Sequence, residues 1–442
     1  MPVARLLLMI LLVAPLARAQ AERPGVLSMR ERAEVHDAWL QDRLDTLVPD
    51  LMRRAGVDLW IVSGREYNED PVLETMLPAT WQSARRRTVL VFHDDGERVE
   101  RLAVARYDVG PFPRAWEPEA QPDQWARVAE IVAERDPEAI AVNRSATFAL
   151  ADGMTDTELD GLMGALPERF RSRVVPADEL AVGWLETRTP AELAAYPTVV
   201  RLARSILHEG LSEAAITPGV TTTDDLAWWY GDRVRGLGLD AWFHPGVSVQ
   251  RAEAGERDGD FSSRDAAAVI RPGDLVWVDF GIEYLGLHTD TQQMAYVLRP
   301  GETAAPAGLA AGLAAANRVQ DHLTDAFATG RTGNDVLAAA LAASAGDGLD
   351  ATIYTHPIGL HGHAAGPTIG LWDQQGGVPG RGDYPLFPNT AHSIELNAAA
   401  SVPEWGGQRV RFMLEEDAVF DGERVTYLDG RQTELLLIPR AE

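Results

Sequence analysis

The amino-acid sequence predicts an α+β protein of two domains, a smaller α/β domain over residues 28–185 and a larger α+β domain over residues 188–440. Three observations predict it. Short apolar runs alternate with helical patterns between Val57 and Leu166, the pattern of a sheet covered by helices. A strong helix start then appears at Thr189-Pro190-Ala191-Glu192, with a threonine cap, proline at the first helical position and a glutamate three residues after the cap. From Pro190 onward the order helix, helix, strands occurs twice, over Pro190 to Val297 and again over Pro306 to Leu437.

The elements follow in order. Met29 to Met52 carries apolar residues at helical spacing. Val57 to Ser63, Thr88 to His93 and Val99 to Ala105 read as strands, the last two joined by the hairpin signal Asp94-Asp95-Gly96. Gln124 to Arg135 and Asp156 to Leu166 read as helices, with Ala139 to Asn143 as a strand between them. In the second domain a helix runs from Pro190 to about Leu211, bent at Pro197. A second helix follows over Thr222 to Leu237, then a hairpin over Gly273 to Val297. Pro306 to Ala328 and Asn334 to Ala345 form the second helical pair, separated by the breaker Gly330.

At 442 residues the chain is long enough for two cores, and 46% hydrophobic with 24% charged residues is an ordinary globular balance. A formal net charge of −26 excludes a nucleic-acid partner, because phosphate binding needs a basic footprint. There is no lysine, so all 40 basic residues are arginine. There is no cysteine, which excludes disulfides, thiolate ligands and cysteine nucleophiles. Any metal site must therefore use His, Asp and Glu, a donor set that suits Mn²⁺, Zn²⁺, Co²⁺ or Fe²⁺ better than soft copper.

Arg5, the apolar run Leu6 to Leu16 and the small-residue pattern Ala17-Arg18-Ala19 together read as a signal peptide over residues 1–19. The expectation is an exported protein, periplasmic or secreted, with no stable membrane insertion after cleavage.

The chemistry is carried by five separated carboxylates and imidazoles in apolar surroundings. Asp279 ends the apolar run Leu275 to Val278, and Asp290, eleven residues on, precedes Met294 to Val297. That spacing suits two positions facing each other across a hairpin. Two buried carboxylates need a cationic partner, and a divalent metal pair is one. Downstream, Tyr354-Thr355-His356 leads into a glycine-rich loop with His361 and His363. Ser393-Ile394-Glu395-Leu396 and Phe412-Met413-Leu414-Glu415 each place a glutamate in a strand-like apolar run. Glu416 and Asp417 beside the last one read as solvated.

In this order the residues resemble the pita-bread metallopeptidases: methionine aminopeptidase, Xaa-Pro aminopeptidase, Xaa-Pro dipeptidase (prolidase) and their metal-free relative creatinase. The resemblance covers residues 186 to 440, and the domain before it resembles the N-terminal domain of the aminopeptidase P, prolidase and creatinase branch. It implies a pita-bread catalytic domain and two divalent metal ions, manganese first, with zinc, cobalt or iron as alternatives. It implies Asp279 on one metal, His356 and Glu395 on the other, and Asp290 and Glu415 bridging both. His363 is implied to be a catalytic histidine, and Glu395 to move the proton of a metal-bridging hydroxide. A peptide substrate cut at an Xaa-Pro bond, and a homodimer or tetramer, follow from the same resemblance.

The substrate side departs from the family. Ser262 stands where the family has a further histidine, and His244 and His288 are the candidates to replace it; His361 is an additional histidine. Gln292-Gln293 replaces Thr-Arg, Leu396 replaces a proline, and Met413 replaces an arginine, with Arg411 displaced by two positions. Trp372 and Trp405 are candidate walls of the substrate pocket. The alternatives to an Xaa-Pro exopeptidase are a creatinase-like C–N hydrolase and a catalytically weak, peptide-binding pseudoenzyme.

Overall fold

The computed structural model describes residues 25–252, 254 and 267–439; the expected signal peptide and Ser262 lie outside them. Ser28 caps the first helix, Met29–Ala55, through a capping box with Glu31, and Gly56 in the left-handed region ends it. Five strands follow: β1 (Leu59–Arg65), β2 (Arg87–Asp94), β3 (Val99–Val104), β4 (Ile140–Val142) and β5 (Val174–Pro176). They form one sheet in the order β3-β2-β1-β4-β5, antiparallel for β1, β2 and β3 and parallel for β1, β4 and β5. Alternate residues of β1 face opposite cores. Trp60 and Val62 pack toward Met29–Ala55 and Asp178–Glu186, while Leu59 and Ile61 pack toward Gln124–Arg135.

The second domain opens on the helix Pro190–Gly210, whose capping box between Thr189 and Glu192 is formed as the sequence predicts. Thr223–Leu237 pairs with it. Then come β6 (Gly246–Gln250), β7 (Leu275–Phe280), the small hairpin β8 (Glu283–Tyr284) and β9 (Leu287–His288), and β10 (Thr291–Val297). The second half repeats the order, with helices Ala307–Asp325 and Gly333–Gly346. Its strands are β11 (Asp350–Ile353), β12 (His356–Ile358), β13 (Thr390–Ser393), β14 (Leu396–Val402), β15 (Gln408–Leu414), β16 (Asp417–Phe420), β17 (Val425–Tyr427) and β18 (Leu436–Ile438).

The sheets are β18-β10-β7-β6, β11-β14-β15 and β12-β13-β16-β17. Each helical pair covers its own side of them. Val276, Val278 and Phe280 of β7 pack with the first pair, and Leu275 and Trp277 with the second. This two-residue alternation puts Asp279 on the Leu275 and Trp277 face, between the layers. No helix among the described residues is long and apolar enough to cross a membrane.

Candidate metal centre

Five side chains, from β7, β12 and the breaks beside β10, β14 and β16, converge between the layers, with His363 grouped beside Asp290 and His356. The ligand atoms of Asp279, Asp290 and Glu415 lie within 4.8 Å of one another, and so do those of His356, Glu395 and Glu415. Glu415 is common to both groups. Asp290 also reaches the second group, its Oδ2 lying 3.7 Å from His356 Nε2, and Glu415 Oε1 lies 3.5 Å from the same nitrogen.

Each residue is held by local geometry. Asp279 pairs across the ladder with Gln292, not with Asp290. The sequence expectation of two facing aspartates is corrected to a diagonal arrangement, two residues out of register and therefore on one face. The Asp290 N–H donates to both carboxylate oxygens of Asp417, at 3.2 Å each. Glu395 and Glu415 do not lie inside strands. Glu395 occupies the break between β13 and β14, and Glu415 the break between β15 and β16, where one strand passes from one sheet to the other.

At those breaks the backbone is tied down by other means. Glu395 N–H donates to Thr355 Oγ1 at 3.1 Å, and Tyr354 N–H donates to the Glu395 carbonyl at 3.1 Å. Gln292 and Glu415 exchange both backbone hydrogen bonds, at 3.0 and 3.2 Å. Side chains complete the support. Gln292 Nε2 donates to Glu395 Oε1 at 2.7 Å, and Ser393 Oγ to Glu415 Oε1 at 2.6 Å.

His356 opens β12, and its Nδ1 lies 3.0 Å from the Pro357 carbonyl. A carbonyl only accepts, so that nitrogen carries a proton and donates, which turns Nε2 toward the carboxylates. Burial pushes the carboxyls of Asp279, Asp290 and Glu395 well above the ordinary range, and the charge of Glu415 pushes them further. Asp279 Oδ1, Asp290 Oδ1 and His356 Nε2 are buried without a hydrogen-bond partner. Unpaired donor atoms of this kind, converging from oxygen and imidazole ligands, fit a pair of divalent cations.

His363 is exposed at the edge of this cluster, its ring 4.7 Å from that of His356 and edge-on to Trp242 at 5.2 Å. Desolvation, then the neighbouring His356 and Arg381, lower its pKa, so the ring is neutral at pH 7. His288 and His361 stack on each other at 6.4 Å and line a separate cavity of about 410 Å³ against Trp39 and Arg43 of the first helix. Burial lowers both to about 4. His244 packs against the exposed Trp228 at 4.9 Å.

Several expectations need correction. Glu416 and Asp417 are not solvated: each is 1% exposed. Burial raises Asp417 well above the ordinary range and Glu416 to about 8. Glu416 accepts from Gln432 N–H at 2.7 Å and Gln293 Nε2 at 3.3 Å. Trp405 is a core residue of the second half rather than a pocket wall, and Trp372 is exposed. Arg411 donates to Asn397 at 3.1 Å on the neighbouring strand. The supporting roles of Asp417, Ser393 and Thr355 were missed. The only signal for the first was its place between apolar Leu414 and Ala418.

The profile of metallopeptidase family M24 matches residues 198–415, a span that contains every one of the converging ligands. The C-terminal domain belongs to metallopeptidase family M24. Solved structures agree on the fold. An X-Pro aminopeptidase from Thermotoga maritima superposes with a TM-score of 0.62 at 16% identity, covering 88% of this chain and 99% of its own. An Xaa-Pro dipeptidase from Bacillus anthracis gives 0.57 at 18% identity, with 93% and 100% covered. The dipeptidase PepE from Mycobacterium ulcerans gives 0.59 at 20%, with 94% and 100% covered. Their coverage extends the likeness beyond the M24 span to the N-terminal domain, as the α+β, pita-bread assignment requires. No curated protein matches the chain by sequence. The M24 domain thus carries a cluster suited to divalent metal, in a family of metallopeptidases.

Proposed function

We propose that this protein is an exported, dinuclear-metal-dependent exopeptidase that hydrolyses the Xaa-Pro bond at peptide N-termini or in dipeptides. The observation that carries the proposal is the convergence of Asp279, Asp290, His356, Glu395 and Glu415 with three unpaired buried donor atoms among them. Asp279 would hold one ion, His356 and Glu395 the other, with Glu415 and Asp290 shared. When bound, two such cations lower the pKa of a water between them and polarise the scissile carbonyl.

The chain's own residues do the rest. The Gln292 amide on Oε1 of Glu395 leaves the second oxygen to take the proton of the attacking water. His363, neutral and at the edge of the cluster, donates to the peptide oxygen as that oxygen gains charge. Trp242, whose indole donates to the Thr289 carbonyl at 2.9 Å, fixes the wall beside His363. The choice of an Xaa-Pro substrate draws on the solved relatives, an X-Pro aminopeptidase and an Xaa-Pro dipeptidase among them. Export rests on Arg5, Leu6 to Leu16 and Ala17-Arg18-Ala19.

The test is a panel of Xaa-Pro dipeptides and longer Xaa-Pro-Yaa peptides, with Mn²⁺, Zn²⁺, Co²⁺ or Fe²⁺ supplied to protein purified without chelator. The expected result is about two equivalents of metal bound and chelator-sensitive release of the first residue. Bound metal with no cleavage would leave a peptide-binding pseudoenzyme; no metal uptake would end the proposal. N-terminal sequencing of the exported protein should begin at Gln20.

A further inference from the structure

We infer that the N-terminal domain holds a binding site for a small oxyanion, a carboxylate- or phosphate-bearing molecule, distinct from the metal centre. A cavity of about 480 Å³ opens where β2 begins and β3 ends, and four arginines line it: Arg85, Arg86, Arg87 and Arg106. Its single lining acid is Glu66. Among the described residues of this chain, which has 66 acidic and 40 basic residues, many arginines meet a carboxylate, and others, Arg54 and Arg144 among them, do not. Arg53 meets Asp94 at 2.9 Å, Arg135 meets Glu100 at 2.8 Å and Arg233 meets Glu209 at 2.8 Å.

Arg85 and Arg86, both exposed at the cavity mouth, meet no carboxylate. Among the described residues neither forms an ion pair, and their guanidinium nitrogens make no hydrogen bond. Arg106 comes no closer than 3.9 Å to Glu119, whose side chain is 82% exposed, an interaction worth little. Arg87 meets Glu158 at 2.7 Å, but Arg65 shares that carboxylate at 3.4 Å, so the group keeps a net positive charge.

The side chains of Arg85 and Arg106 are also held in place. The Arg85 guanidinium lies over the Trp81 ring at 4.3 Å and near Tyr107 at 6.0 Å, and Arg106 lies over Trp116 at 5.7 Å. A guanidinium resting on a ring face keeps its in-plane N–H donors free, and those donors match the two oxygens of a carboxylate or phosphate. Arg86 adopts φ 56°, a left-handed conformation that costs a non-glycine residue energy, and its carbonyl is tied to Glu66 N–H at 2.6 Å. Strain, uncompensated charge and aromatic platforms thus coincide around one cavity of small-ligand size.

The experiment is calorimetric titration of the full chain, in a low-salt buffer free of other oxyanions, with citrate and separately with inorganic phosphate. One saturable equivalent is expected, weakening as NaCl is added. Arg85→Ala and Arg86→Ala should each weaken it about tenfold, and Arg85→Lys should fall between, since it keeps charge but loses the fork. Arg318→Ala, on a remote helix, should leave it unchanged. Far-UV circular dichroism checks that each variant is folded. Tighter citrate than phosphate binding would assign a carboxylate ligand, and the reverse a phosphate. No saturable binding of either probe, or binding that survives both Arg85→Ala and Arg86→Ala, would overturn the inference.

Discussion

Asp70 of the N-terminal domain and the carboxylates of the metal centre are buried on opposite terms. In the N-terminal domain Asp70 is fully buried, yet each of its oxygens is used: Oδ1 accepts from Val72 N–H at 2.8 Å and Leu73 N–H at 3.4 Å, and Oδ2 from Asn143 Nδ2 at 2.8 Å. In the M24 domain Asp279, Asp290, Glu395 and Glu415 are crowded together, and the Oδ1 atoms of both aspartates have no partner. Burial of charge is common to both. What separates a structural carboxylate from a metal-site carboxylate is whether the protein itself completes the coordination of its oxygens.

The largest expected effect comes from deleting a shared ligand. Glu415→Ala removes a residue shared by the Asp279–Asp290 group and the His356–Glu395 group, and Asp279→Ala removes an unpaired one. Either should abolish stoichiometric metal binding and lower kcat/KM for an Xaa-Pro peptide by at least about 10³-fold, as metal analysis and steady-state assays would measure. Full activity without metal would erase the contrast between the domains.

Next comes the support beneath the ligands. Gln292 takes Trp277 Nε1–H on its oxygen at 3.2 Å, which leaves its amide N–H to hold Glu395. The indole can only donate, so the amide cannot flip. Gln292→Leu should weaken metal affinity or kcat by about 10–100-fold, with little change in fold. Asp417, which holds the Asp290 N–H, should behave in the same way when replaced by alanine. Calorimetric metal titration separates these from a general loss of structure.

Much of this was legible in the chain. The capping box at Thr189 and Glu192 and the apolar run of β7 depend on residues close in sequence, so helix starts and the place of Asp279 in an apolar strand could be read directly. The order Asp279, Asp290, His356, Glu395, Glu415 by itself carries the family resemblance. The failures share a physical origin. Glu416-Asp417 reads as solvated because its burial depends on the crossing of strands far apart in sequence. The breaks at Glu395 and Glu415, and the placing of Trp405 in the core, likewise follow from how sheets diverge. Residues that meet only through tertiary structure leave no periodicity to detect.

A smaller effect tests the seam between the domains. Glu186 is buried beside Tyr384, whose hydroxyl donates to it at 3.1 Å, and burial pushes its pKa up to about 8. Between its ordinary value and about 8 the folded protein holds a proton that the unfolded chain has released. Stability from this group is therefore complete below the unfolded pKa and is lost as pH rises toward 8, with a slope of at most about 1.4 kcal/mol per pH unit. Glu186→Gln removes that slope. Its melting temperature relative to the parent protein should rise between pH 5 and pH 8 with metal occupancy held fixed; a constant difference would show that Glu186 is ionised throughout.

The smallest effect completes the comparison from the other domain. Asp70 caps the short helix Pro71–Glu74 and holds the side chain of Asn143, which in turn accepts from Trp60 Nε1 at 2.8 Å. The surroundings are tight: a Cβ on Gly153 would stand 2.2 Å from Asp70 Cγ. Asp70→Ala removes a cap and leaves the Asn143 amide without its acceptor, losses that together cost about 2 kcal/mol. It touches no ligand of the metal centre. Denaturant unfolding should therefore show the destabilisation, while metal stoichiometry and the kcat/KM of the folded fraction stay at parent values. A loss of metal in Asp70→Ala would mean that the N-terminal domain shapes the centre directly, and that completed coordination is not what divides the two kinds of buried carboxylate.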